Sequence, residues 1–317
     1  MNNRRSVLAL ATAVLGLFLA GPLANPATAQ EKLKVILLPF SESLGAVIAD
    51  KKGYFKEERL EIEVSKMAGS ALMIPVLQSG KVDIILSNTV STLQAIEQGL
   101  DATFLAPSAV VRSAPPDSTT ALMVLKGAFK SPKELEGKRV AVNVINSTAW
   151  LYMVALLDKH GVDRNKVRFV EVPFPQMNDP LLNKQIDAIG QVEPFRTILL
   201  NSGKVEAIGY SYVEVQPNAD ITQYLALTSW VKKNPQTAAK FARAVIKGSR
   251  FANANPAETR QINVEYTGLN AALKDAVMLP RFGEKVNTAE VAKTSELMVK
   301  YGMLKKPIDL SGRIMSQ

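Results

Sequence analysis

The chain has 317 residues, of which 47 % are apolar and 21 % charged, with a formal charge of +9, one histidine and no cysteine. That length divides most simply into two domains and buries enough surface to fold without covalent staples. The missing cysteine excludes disulfides, thiolate zinc, a cysteine nucleophile and a lipid-modified N-terminal cysteine, and one histidine excludes a multi-histidine metal centre.

The basic excess is scattered in pairs such as Lys51-Lys52, Lys232-Lys233 and Lys305-Lys306, without a basic arm or zinc-finger spacing. Charge spread this way solvates a surface, so no nucleic-acid partner is expected.

Residues 1–29 read as an export signal peptide. Arg4-Arg5 precede an apolar run over 7–20, and Ala27-Thr28-Ala29 fits the small-x-small cleavage rule. The run is shorter than the roughly 20 residues needed to span a bilayer. Sec and Tat routes both fit Arg4-Arg5. Cleavage after Ala29 removes both arginines and is expected to leave a soluble chain in the periplasm.

From Gln30 onward, short β-branched runs alternate with helical periodicity, which predicts α/β layers with mainly parallel strands. Strands are expected at 33–39, 60–66, 82–88 and 102–106, with helices at 43–52, 70–79 and 90–98 between them. The rhythm restarts with strands at 119–125, 139–144, 167–172, 186–190 and 205–209. Adding 108 to a residue number carries Asp50-Lys51-Lys52-Gly53 onto Asp158-Lys159-His160-Gly161, and Glu63-Val64 onto Glu171-Val172. Lys81-Val82-Asp83-Ile84 is echoed by Gln185-Ile186-Asp187-Ala188. A duplicated β-α-β-α lobe explains both echoes.

The repeat also assigns His160. Its counterpart Lys52 sits just before a glycine, where positive charge meets the negative end of a helix, so His160 is expected at a surface C-terminus rather than in catalysis.

After a further strand at 221–228 come helical patterns at 235–253, 256–266, 269–277 and 288–301, with Pro235 and Pro256 at helix starts. Two crossings near 107–121 and 212–226 form a two-strand hinge that permits closure on a ligand. The expected division is lobe 1 at 30–112 and 222–317, and lobe 2 at 113–221.

In open parallel sheets ligands bind beyond the carboxyl ends of the strands. Those positions carry Phe40-Ser41-Glu42-Ser43, Gly69-Ser70, Asn88-Thr89, Asn146-Ser147-Thr148, Phe174 and Glu193-Pro194-Phe195. Small hydroxyl and amide side chains there are ordinary N-caps, and the helix N–H groups they leave can also hold a polar ligand. Among known motifs, no P-loop, G-x-G-x-x-G, G-x-S-x-G or H-E-x-x-H occurs, so binding rather than catalysis is expected, with no cofactor and no metal.

Gly53-Tyr54-Phe55-Lys56-Glu57-Glu58 followed by Leu60-Glu61-Ile62-Glu63-Val64 resembles a stretch of ABC-importer substrate-binding proteins of the nitrate, sulfonate and taurine type, which include pyrimidine-precursor binders. Gln78-Ser79-Gly80-Lys81-Val82-Asp83, Leu135-Glu136-Gly137-Lys138-Arg139-Val140 and Val192-Glu193-Pro194-Phe195 extend the likeness in order along the chain. The resemblance implies a type II periplasmic-binding-protein fold, one small solute held between two lobes, and delivery to a membrane permease driven by an ATPase. It places ligand contacts at Phe40, Ser41, Ser70, Asn88, Asn146, Ser147, Thr148 and Glu193, together with Trp150 and Tyr224. Monomer is the expected state of such a component.

Two positions depart from the family pattern. Arg59 replaces a glycine, so the turn before the second strand is expected to avoid a left-handed backbone or carry a small strain, and Asn183-Lys184-Gln185 also lacks the usual glycine.

The ligand expected is a small organic anion, a sulfonate or a carboxylate, held at the helix N-termini. A cleft-facing Glu193 would oppose it by about 3 kcal/mol at ~6 Å and an effective dielectric of ~20, unless Arg196 or Arg112 reaches the cleft. If Glu193 instead accepts from a ligand amine, a neutral pyrimidine-type compound is the alternative. An enzyme of pyrimidine synthesis on the same fold is the rival class; the yeast-type enzymes carry a cysteine-rich segment that this chain lacks.

Overall fold

A computed structural model describes residues 30–316, so the export-signal reading lies outside the described residues. The first unit runs β1 (Glu31–Leu37), α1 (Leu44–Lys51), α2 (Tyr54–Glu57), β2 (Leu60–Lys66), α3 (Ser70–Gln78), β3 (Ile84–Asn88), α4 (Thr89–Glu97) and β4 (Ala102–Pro107). Short β5 (Ala109–Val110) lies in the first crossing. The second unit follows as β6 (Thr120–Leu125), β7 (Arg139–Val142), α5 (Thr148–Lys159), β8 (Arg168–Glu171), α6 (Asn178–Leu182), β9 (Ala188–Val192), α7 (Phe195–Asn201), β10 (Val205–Gly209) and α8 (Ser211–Val215). The chain then returns through β11 (Thr222–Leu227), α9 (Thr228–Lys233), α10 (Pro235–Ala254), α11 (Pro256–Thr267), β12 (Arg281–Phe282) and α12 (Thr288–Lys300).

Two five-stranded sheets result, ordered β2-β1-β3-β11-β4 and, from its β8 edge, β8-β7-β9-β6-β10. In each, one strand opposes four that share a direction. β11 runs antiparallel to β3 and β4 in the first sheet, and β6 antiparallel to β9 and β10 in the second. These are the strands that carry the chain across, so the two sheets match strand for strand. An α/β fold of mostly parallel strands follows directly from the alternating apolar runs. Ile84, Ile85 and Leu86 in β3 are fully buried, each side chain contributing about 1.5–3 kcal/mol on leaving water.

The duplication extends to single hydrogen bonds. Asp83 Oδ2 accepts from the Lys34 N–H at 2.8 Å, and Asp187 Oδ2 accepts from the Arg139 N–H at the same distance. Each aspartate locks the strand after it to a parallel neighbour, β3 to β1 and β9 to β7. Gly53 and Gly161 both adopt left-handed φ, 76° and 73°, ending α1 and α5 as C′ glycines should. Lys52 and His160 precede them, pairing respectively with Glu258 and, at 3.4 Å, with Glu214.

The structure corrects several expectations. β1, β3, β7 and β9 end or begin about two residues from where apolar patterning put them, because charged Glu31 and Lys32 extend β1 outward while Asp83 and Asp187 serve as locks rather than strand residues. The stretch 269–277 is not a helix but a single 3-10 turn, Ala271–Leu273, closed by Asn270, whose side chain accepts from the Ala272 N–H. Arg59 does take a left-handed backbone, φ 59°, as does Lys184 at φ 60°. The backbone of this fold demands the left-handed conformation at both positions whatever residue stands there, at roughly 1–2 kcal/mol for a side chain with a Cβ.

The crossings pair with each other. Val111 N–H donates to Ala219 C=O at 2.9 Å, Ile221 N–H to Ala109 C=O at 3.0 Å and Ser108 N–H to Thr222 C=O at 2.8 Å. Both connections therefore form one antiparallel ribbon.

Candidate functional site

A cavity of about 550 Å³, counted with its open mouth, lies between the two sheets at the strand ends. From the first unit it receives Leu38, Phe40, Glu42, Ala68, Gly69, Ser70 and Asn88; from the second, Asn143, Ser147, Thr148, Ala149, Phe174 and Val192. Tyr212, Ile221 and Thr222 close its hinge side.

Five of the residues singled out from sequence meet here: Phe40, Ser70, Asn88, Ser147 and Thr148. Their local chemistry is that of helix starts. Asn88 caps α4, its Oδ1 accepting from the Ser91 N–H at 2.7 Å, and Ser147 caps α5 by accepting from Trp150 N–H at 3.3 Å. Ser70 opens α3, and its Oγ accepts from the Asn88 N–H at 2.9 Å. Three helix N-termini thus converge on one space, as the strand-end rule implies.

The lobes touch across the cavity. Thr148 Oγ1 donates to Asn88 Oδ1 at 2.9 Å, so a single carboxamide oxygen serves a cap in one unit and a hydroxyl in the other. At the rim, Gln94 Nε2 donates to the Asn146 C=O at 3.4 Å. Phe40 meets Phe174 and Phe195 edge to face at ring distances of 6.3 and 6.2 Å, the geometry that aromatic quadrupoles favour.

The other five lie outside the lining. Ser41 turns inward and donates to Asn263 Oδ1 at 2.8 Å. Asn146 is exposed with φ 61° and offers only its carbonyl to the rim. Trp150 packs against Phe169, ring centroids 6.1 Å apart. Tyr224 is fully buried behind the first sheet, its hydroxyl accepting from the Ala46 N–H at 3.2 Å.

Glu193 requires the largest correction. It does not face the cleft: it is 4 % exposed and locked to Arg196, whose Nη2 and Nε donate to Glu193 Oε1 at 2.6 and 3.0 Å. Arg196 in turn donates to the Asp117 C=O at 2.7 Å, tying the pair to the segment that leads into β6. Arg196 is therefore consumed, and Arg112 points to Met278 Sδ at 3.7 Å instead of the cleft. Among the described residues no Lys or Arg lines the cavity.

Glu42, which sequence reasoning passed over, takes the place given to Glu193. Its half-buried side chain lines the cavity. Loss of water pushes its carboxyl up to about 7; its own backbone N–H draws it down, and the Glu193 carboxylate pushes it up further. Tyr212 beside it is buried, and desolvation raises its phenol well above the ordinary range.

Two lobes built on matching sheets, a paired-strand connection and a cleft lined mostly by neutral residues define the class: a bilobal fold of the periplasmic-binding-protein type. The aliphatic sulphonate binding protein SsuA of Escherichia coli shares it, with a TM-score of 0.76 and 17 % identity over 90 % of this chain and 97 % of that one. Within that class the chain belongs to the NMT1/THI5-like family, which matches residues 41–259. A Haemophilus influenzae protein named for thiamine biosynthesis is 27 % identical over 94 % of both chains. The Saccharomyces cerevisiae 4-amino-5-hydroxymethyl-2-methylpyrimidine phosphate synthase THI11 is 22 % identical over 69 % of this chain and 66 % of the relative.

Proposed function

We propose that this chain is the extracytoplasmic solute-binding component of an ABC importer, and that its cleft captures a small, flat, amine-bearing ring of the aminopyrimidine type. The carrying observation is Glu42, an acceptor placed in a cavity whose lining holds aromatic rings, amides and hydroxyls but no cation. A ligand amine donates to such a carboxyl, and Phe40, Phe174 and Tyr212 supply flat apolar contact. The names of the bacterial and yeast relatives, both tied to thiamine or its pyrimidine, support the same ligand class. In this reading the loaded protein acts in the periplasm as a monomer and delivers its solute to a permease and ATPase.

The second reading, a sulfonate or carboxylate, draws on the three converging helix N-termini of α3, α4 and α5. Each favours an anion by about 0.3–1 kcal/mol. A charged Glu42 at ~5 Å and an effective dielectric of ~20 opposes it by about 3 kcal/mol. With no compensating cation in the lining, the amine-bearing ligand is favoured.

His160 does not line the cavity and pairs with Glu214 at the end of α5, which supports binding rather than catalysis. Thermal-shift screening of the chain from Gln30 tests the ligand class: 4-aminopyrimidines should raise the melting temperature and alkanesulfonates or aromatic carboxylates should not. Stabilisation by the anions alone would reverse the assignment.

A further inference from the structure

Among the described residues Glu42 has no cationic partner in the cavity, so the charge it carries when a ligand arrives has to be settled between carboxyl and ligand. The groups facing it from other elements are the Glu193–Arg196 pair at the junction of β9 and α7, Tyr212 on α8 and Tyr266 on α11. Arg196 is spent on Glu193, so its charge does not neutralise Glu42. The residues that α3, α4 and α5 bring to the lining are neutral.

An aminopyrimidine edge presents an exocyclic N–H donor beside a ring nitrogen that accepts. A carboxylate can accept from the amine but has nothing to give the ring nitrogen. One proton added to the pair completes it, whether it rests on the carboxyl oxygen or on the ring nitrogen: two parallel hydrogen bonds form and the polar atoms are satisfied. Leaving the ring nitrogen against a bare carboxylate in this half-buried place would instead oppose two acceptors.

Resting on the ligand class proposed above, we propose that Glu42 holds the aminopyrimidine through one shared proton, so that capture above neutral pH takes up a proton and affinity falls as the medium becomes alkaline. The burial that lifts the Glu42 carboxyl to about 7 places this change within the range an extracytoplasmic protein meets. The sign follows from linkage: the complex holds one more proton than free protein and free ligand above that value. Between the ionisations of carboxyl and ring the proton is already present and affinity is level.

Isothermal titration of 4-amino-2-methylpyrimidine in buffers of different ionisation enthalpy reads the proton directly. Wild type should take up close to one proton at about pH 8.5 and almost none at about pH 6.5, with Kd rising about tenfold per pH unit above the carboxyl's titration. Glu42→Gln should still bind, because a carboxamide donates and accepts in the same pattern, but with no proton uptake and a level pH profile. Wild-type binding at about pH 8.5 without proton uptake overturns the shared proton while leaving the ligand class standing. A pH slope that persists in Glu42→Gln overturns it as well. Absence of aminopyrimidine binding at every pH, by protein that melts cooperatively, overturns the ligand class and this inference together.

Discussion

Glu42 and Glu193 stand at the two walls of the cleft, one in each unit, and both follow a strand of the duplicated fold. Glu193 accepts from both Arg196 donors and from the Thr197 N–H at 3.2 Å, inside an almost fully buried network that also holds Asp117. Glu42 lines the cavity, and among the described residues its backbone carbonyl accepts from a neighbour, the Ser108 hydroxyl. The contrast separates structure from recognition. A carboxylate whose lone pairs are spent inside the protein fixes a loop, whereas a carboxyl that lines a cavity is available to a ligand.

The largest effect is expected at Arg196. Arg196→Met leaves Glu193 charged, buried and unpaired, which should cost about 3–5 kcal/mol in urea unfolding. Glu193→Leu combined with Arg196→Met should recover most of it. A loss below about 1 kcal/mol would mean that the pair does not hold the wall.

Glu42→Gln sharpens the other side. The folded protein holds this carboxyl at about 7, above the ordinary 4.5, so wild-type stability falls as pH rises between those values and is level above them. The variant, free of that penalty, should therefore exceed wild type by on the order of 2 kcal/mol at about pH 8 and match it near pH 4.5 in ligand-free thermal melts. A variant no more stable than wild type at alkaline pH would put Glu42 in water.

The smallest effect tests where the two walls meet. Thr148→Val removes the hydroxyl that bridges to Asn88, worth about 0.5–1.5 kcal/mol. That should weaken ligand binding about 2–10-fold while leaving the unfolding midpoint nearly unchanged. An unaltered Kd would show that the bridge does not stabilise the closed arrangement.

The sheets were legible because apolar runs and turn residues state strand positions locally. The duplication was legible in Asp83 and Asp187, since an aspartate just before β3 and another just before β9 do the same work twice. Direction was harder. Phe40, Ser41 and Glu42 are consecutive in a tight 3-10 entry, and only its backbone decides that Ser41 turns to Asn263 while its two neighbours turn to the cavity. Tyr224 lies on a strand, where alternate residues face opposite sides, and its side faces α1. Asn143 is the first residue after β7 and lines the cavity, but apolar patterning extends that strand to residue 144 and so hides it. For Glu193 a signal did exist: Arg196 three residues on, across a helix start, is the spacing at which opposite charges pair.

The paired crossings at Ser108–Thr222 and Val111–Ala219 also set how the molecule can move. Two hydrogen-bonded strands resist stretching and sliding but yield to twist, so the ribbon behaves as a torsion rod. Its neighbour β12, bonded through Arg281 to Val110, braces one side of it. Motion about such a rod is a swing with almost no translation. The Phe40 ring of one wall lies against Phe174 and Phe195 of the other, so a twist of the ribbon would open or close that aromatic contact without sliding one wall past the other.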